Sequence, residues 1–199
     1  MDLLFDTPKT NQRKEKIRCW AKRYMASGGA NLTREKELIK LKESIYKQGH
    51  LTKSELEQLV RWKLPRQLGN IRKNKEDLIV EMTQTAFKSK DVSDSIAHLC
   101  RIKGVRVSIG SAILHLFHKD DYPIYDQHAL RAVGVPQDES VWESYVEFCR
   151  KVSKDNRIDM RTLDRALYRF GYVLSVLNYY EDDLACLGVK VSDIINGTH

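Results

Sequence analysis

CRIKGVRVSIGSAILHLFHKDDYPIYDQHALRAVG, residues 100–134, is the stretch on which the reading of this chain turns. A basic turn, Lys103-Gly104-Val105-Arg106, opens a run of small and apolar residues from Ile109 to Phe117. Val105 to Ser108 alone would pass for a short strand. The continuation IGSAILHLF fits better as a buried helix, with about 11 residues running from the loop to His118. Gly104 allows a backbone geometry and a close approach that a side chain would block. The first amides of the helix beyond it have no partner inside that helix, so with the helix dipole behind them they suit an anion such as a backbone phosphate. Lys103 and Arg106 add charge there, and Ser108 and Ser111 add hydroxyl donors.

Outward from this stretch the pattern stays helical, and the expectation is an all-α, two-lobed bundle. Ile17, Trp20 and Tyr24 recur at helical spacing before Gly28-Gly29. LTREKELIKLKESIYKQG reads as one helix with Leu38, Leu41 and Ile45 on its apolar face. Thr52 and Glu55 form a capping box at the start of the next helix, whose apolar face is Leu56, Leu59 and Val60. KEDLIVEMTQTAFKS carries acids in its first turn, where the helix dipole favours them. Asp91 or Ser93 caps a helix whose stripe is Ile96, Leu99 and Cys100. Trp142, Tyr145, Val146 and Cys149 point inward from another. DMRTLDRALYRFGYVLSVLNYY is the longest apolar helix, and LGVKVSDIINGTH reads as a short last helix with a frayed end. The 199 residues fit a single helical domain, with 96–133 as its central hairpin and acid segment and with 1–60 and 138–199 as flanking helices of a second lobe.

Composition narrows the function classes. Apolar residues are 42% and charged residues 31%, which is ordinary for a globular protein, and no apolar run approaches a membrane span. The first residues lack a basic start, apolar stretch and small-residue cleavage site, so a cytoplasmic location is expected. Cys19, Cys100, Cys149 and Cys186 lie far apart, which argues against a zinc ribbon or an iron–sulfur cluster and for free thiols in helical core positions. His115 and His118 are three residues apart, but no third ligand follows at a metal-like spacing, so no metal is expected. The formal net charge of +7 favours an anionic partner, nucleic acid first. Arg61 to Lys75 holds six Lys and Arg with no acid, and Arg161, Arg165 and Arg169 make a basic stripe at four-residue steps, read as a solvated face or a second DNA-backbone contact.

Taken together, GVRVSIGSAIL and FHKDDYPIYDQHALRAV resemble the helix-hairpin-helix DNA glycosylase superfamily, and most closely the adenine-mismatch DNA glycosylases. The resemblance covers Ile96 to Val133. It places Gly104 at the family's first hairpin glycine, Ser108 where bifunctional members keep a catalytic lysine, and Asp126 at the essential aspartate. It therefore implies a monofunctional enzyme acting on double-stranded DNA, gripping the backbone through Lys103, Gly104, Val105, Arg106, Ser108 and Ser111. Asp126 would stabilise a sugar cation or activate water, and Tyr125 would stack on a flipped base. No cofactor is implied; hairpin carbonyls in the family often hold a monovalent cation. The chain departs from the family at Lys103, where the family has proline, and at Arg106, where it has a second glycine; the iron–sulfur cysteines are absent. Glu81 lies on a helix before the hairpin, but its surroundings do not match the subgroup's acid motif, and it reads as a solvated helix residue. Two rival readings stand beside the enzyme: a non-catalytic helix-hairpin-helix DNA-binding module, and a helical interaction protein with no nucleic-acid role. Trp62 is the second aromatic of interest, and Asp126 is also expected to cap the helix that follows it.

Overall fold

The computed structural model describes residues 10–28 and 30–179, and within them every regular element is helical. In chain order these are α1 (Thr10–Ala26), α2 (Ala30–Lys40), α3 (Lys42–Gln48), α4 (Lys53–Lys63), a 3-10 turn at Pro65–Gln67, α5 (Leu68–Ile71), α6 (Glu76–Lys88), α7 (Val92–Cys100), α8 (Val107–Phe117), α9 (Gln127–Ala132), a 3-10 turn at Glu139–Val141, α10 (Trp142–Asn156) and α11 (Met160–Tyr179). The segment from Leu32 to Gly49, read from the sequence as one helix, is broken at Leu41 into α2 and α3. The expected last helix and Cys186 lie outside the described residues. No described helix is long and apolar enough to cross a membrane.

Local chemistry accounts for most of the boundaries. Thr52 accepts a hydrogen bond from the Glu55 amide while the Glu55 carboxylate accepts one from the Thr52 amide, a closed capping box at the start of α4. Asp91 caps α7 through the Asp94 amide, and Asp126 caps α9 through the His128 amide. Gly49 ends α3 in the left-handed region.

α8 is the centre of the bundle, with Val107, Ile109 to Leu114, Leu116 and Phe117 all buried. It packs against α7, α4 and α3. The second large packing unit joins the two ends of the described chain, because α11 lies along α1 on one side and α9 on another. Trp20 of α1 meets Phe170 of α11 edge to face, with ring centroids 5.1 Å apart. Cys149 is buried as expected, whereas Cys19 and Cys100 are exposed: each lies beside the apolar stripe of its helix rather than on it.

Residues 118–126 cross between α8 and α9 without regular structure, and hydrogen bonds to three helices pin them. The Tyr125 amide donates to the Ser111 hydroxyl of α8, the Ile124 amide donates to Asp164 of α11, and the Arg150 guanidinium of α10 donates to the Asp121 carbonyl. The place where α9 meets this strap's end depends on Gly171, whose missing side chain lets the α9 backbone at His128 and Ala132 lie directly on α11. Gly171→Ala should therefore push α9 off α11 and destabilise the protein by about 1–3 kcal/mol, read as a lowered thermal midpoint.

Candidate functional site

The strap and the first turn of α9 carry Asp126 to the wall of a cavity of about 270 Å³. α4 supplies Trp62 and Lys63 to the same cavity, α1 supplies Tyr24, and α11 supplies Arg161, Asp164, Tyr168, Arg169 and Tyr172. Three helices far apart in sequence thus converge on one acid, and four aromatic rings stand around it.

Asp126 uses its two oxygens differently. Oδ1 accepts the His128 amide at 2.9 Å, the capping bond expected from the sequence. Oδ2 accepts from the Lys63 ammonium at 2.8 Å. The two side chains are 20% and 11% exposed, so the pair is largely withdrawn from water yet open to the cavity. Burial alone would raise the carboxyl's pKa. The Lys63 charge and hydrogen bond, followed by the His128 amide, outweigh it and hold Asp126 below its ordinary value. Asp126 is therefore held as a carboxylate at the cavity wall.

Beneath it sits a buried charge cluster. Glu35 of α2 has no exposed surface, and it is clamped by Arg165 at 2.5 Å and Arg161 at 2.6 Å, with the Tyr24 hydroxyl donating to it at 3.0 Å. Arg161 also donates to Asp164 at 2.7 Å. Asp164 is held above its ordinary value, burial being the main cause and Arg161 the main opposing one. His115 is pushed down to about 3, first by burial and then by Arg161; the neutral ring donates from Nδ1 to the Tyr122 carbonyl. The basic stripe expected to be a solvated face or a DNA contact is corrected by this cluster: Arg161 and Arg165 are turned inward to neutralise Glu35, and Arg169 lines the cavity beside Tyr172. Among the described residues no group of His, Cys, Asp and Glu could hold a metal ion.

The turn between α7 and α8 lies on a different support. Gly104 has φ +92° and packs so closely on α5 that a Cβ there would come within 2.8 Å of the Asn70 Cβ. The buried Asn74 side chain holds the turn from both sides, donating to the Lys103 carbonyl at 2.9 Å and accepting the Lys103 amide at 2.8 Å. This dock brings exposed Lys103 beside the exposed Arg72, Lys73 and Lys75, joining the two basic stretches of the sequence on one surface. Arg106 is exposed and paired with Glu139 at 3.1 Å.

The six turn residues and Tyr125 are not among the residues that line the cavity. Lys103, Gly104 and Arg106 are exposed or half-buried, as a contact surface requires, and Ser108 is half-buried. Ser111 is fully buried rather than on a contact surface: it donates to the Ser108 carbonyl and accepts the Tyr125 amide, so it positions the strap. Val105 is likewise buried, with its amide bonded to the Ile102 carbonyl. Tyr125 is buried in the core and does not line the cavity, whose aromatic lining is Tyr24, Trp62, Tyr168 and Tyr172. Glu81 is exposed and lies outside the cavity lining.

The sequence reading missed Lys63, Glu35, Asp164 and Asn74. Lys63 was legible in principle, since Leu56, Leu59 and Lys63 fall on one helical face and the basic run concealed it. Glu35 likewise precedes buried Leu38 by three residues. Nothing local marks Asn74 or Asp164. Comparison with protein-family models, with curated proteins and with solved structures finds no match.

Glu35→Gln should leave Arg165 without its counter-charge and Arg161 with Asp164 alone, and cost about 3–5 kcal/mol in thermal or denaturant unfolding. Burial opposes ionisation of Glu35, but Arg161 and Arg165 prevail and its pKa is lowered when folded. Its stabilisation is thus complete above the unfolded value of 4.5 and is lost as pH falls through the lower folded value. An unfolding series through the acid range should lose that part of its pH dependence in the variant.

Proposed function

We propose that this protein is a DNA N-glycosylase. It holds a nucleotide taken out of duplex DNA in the cavity between α1, α4 and α11, and it hydrolyses the N-glycosidic bond with Asp126. The observation that carries this reading is the double use of Asp126, one oxygen fixed by the α9 amide and the other presented with Lys63 at the cavity wall. A carboxylate serving only as a helix cap would need no cavity. As the base departs, positive charge grows at the sugar's C1′, and a fixed carboxylate kept ionised by Lys63 stabilises it or takes a proton from the attacking water. The rings of Tyr24, Trp62, Tyr168 and Tyr172 suit a base removed from its stack.

The turn at Gly104 and its basic neighbours supply the grip on the backbone. The uncapped first amides of α8 follow Arg106, whose side chain makes no capping bond, and Lys103 stands with Lys73 and Lys75 on the adjoining surface. Such contacts read no base, so they position the duplex while the cavity does the chemistry.

Asp126→Asn tests the reading on duplexes that carry deaminated, oxidised, alkylated or mismatched bases. Base release should fall by about 10²-fold or more, while binding of the duplex persists and weakens steeply with added salt. Salt-dependent binding with no base release from any duplex by the unaltered protein would make it a non-catalytic DNA-binding module. Absence of binding at low salt would leave a helical interaction protein.

A further inference from the structure

We propose that the groove between the start of the strap and the α10–α11 corner is an anion site that takes linked phosphate groups. The groove measures about 610 Å³. Lys119 of the strap, Arg150 and Lys154 of α10, and Arg157 at the end of α10 line it, together with Asp120 and Asp121. It shares no lining residue with the cavity that holds Asp126, and it does not depend on the glycosylase reading.

Charge supplies the first argument. Lys63, Arg161 and Arg165 each meet a carboxylate at the other site. Among the described residues the four groove cations form no ion pair, although two aspartates share their lining. The Asp120 carboxylate instead lies 3.9 Å from Nδ1 of His118. Four positive side chains against two negative ones leave an excess that the protein does not neutralise. A concave surface focuses that excess on whatever enters it.

Geometry supplies the second. Arg150 is already oriented: its Nε donates to the Asp121 carbonyl at 2.8 Å, and its guanidinium lies 4.7 Å from the centroid of the Tyr122 ring. These contacts fix the plane of the fork and leave its terminal nitrogens for a paired contact with phosphate oxygens. Arg157 ends α10 with φ +50°, and among the described residues it is the one non-glycine with a positive φ. Glycine is the favoured residue there, and the exposed Arg157 side chain finds no packing that would offset the strain.

A helix C-terminus by itself disfavours an anion. Here the Arg157 amide donates to the Lys154 carbonyl at 3.2 Å, and the Ile158 amide donates to the Ser153 carbonyl at 3.1 Å. The last carbonyls of α10 are thus partly occupied, and the side-chain cations dominate. Four cations around one groove suit several linked phosphates better than a lone one. A nucleoside triphosphate and a nucleic-acid strand both offer that chemistry.

The test titrates inorganic tripolyphosphate into the full chain at low salt, followed by calorimetry. Arg157→Gly removes the guanidinium and puts the favoured residue in the left-handed position, so its thermal midpoint should hold or rise. Its affinity for tripolyphosphate should fall about tenfold, and further when Lys154→Gln is added. Lys22→Gln, which removes an exposed charge from α1, should bind as the unaltered protein does. Absence of binding by the unaltered protein, or equal affinity in all the variants, would overturn the proposal. Displacement of bound tripolyphosphate by a DNA duplex would identify a strand as the occupant. Displacement by ATP but not by the duplex would identify a nucleoside triphosphate. Either result leaves the Asp126 test untouched, because that test reads base release.

Discussion

The neutralisation of one carboxylate, Glu35, governs the rest of the molecule. It has no exposed surface, and taking an unpaired carboxylate out of water would cost far more than a domain's net stability. Arg161 and Arg165 offset that cost, and in doing so they fix the face that α11 turns toward α2. Tyr24 adds α1 to the same acid. Arg161 then reaches Asp164, and Asp164 holds the Ile124 amide of the strap. A chain of ion pairs and hydrogen bonds thus runs from a helix near the start of the described chain to the residue two before Asp126, and it gives the cavity a polar floor at Arg161 and Asp164.

Above this floor the division of labour is spatial. The α7–α8 turn is held by Asn74 and Asn70 against the α5–α6 corner and presents basic side chains outward. The cavity has a separate lining, built from residues of α1, α4 and α11 together with the end of the strap. α8 connects the two: its first turn follows the basic loop, and its buried Ser111 fixes the Tyr125 amide next to Asp126. Displacement at the loop would thus reach the acid through a single rigid helix rather than through flexible chain.

Much of the fold was legible because its signals are local. The capping box at Thr52, the caps at Asp91 and Asp126, and the apolar period of α8 and α11 each lie within a few residues, and helix geometry translates them directly. The break at Leu41 was not legible, since the apolar period runs through it without a proline or glycine. The site was half legible. Asp126 could be singled out because proline-led loops into helices leave a recognisable trace, but its partner lies 63 residues away and was hidden by company: among six basic residues only Lys63 turns inward. Arg161 and Arg165 were misread for the reverse reason, their even spacing suggesting a wet face when a buried acid from α2 was waiting for them. Ile124, Tyr125 and Asp126 show how neighbours in sequence alternate between cavity and core along an extended strap, a detail no composition argument resolves.

The lengthwise contact between α1 and α11 has a consequence for how the molecule comes into being. These helices are separated by most of the chain, and the cavity needs both. Contacts between distant segments form late, since a long loop must close before they are rewarded. During synthesis the α4–α8 region has its neighbours at hand and can collapse early, exposing its basic surface while the acid-bearing chamber is still open on two sides. Any affinity for polyanions would then precede completion of the chamber, which closes only when α11 packs along α1.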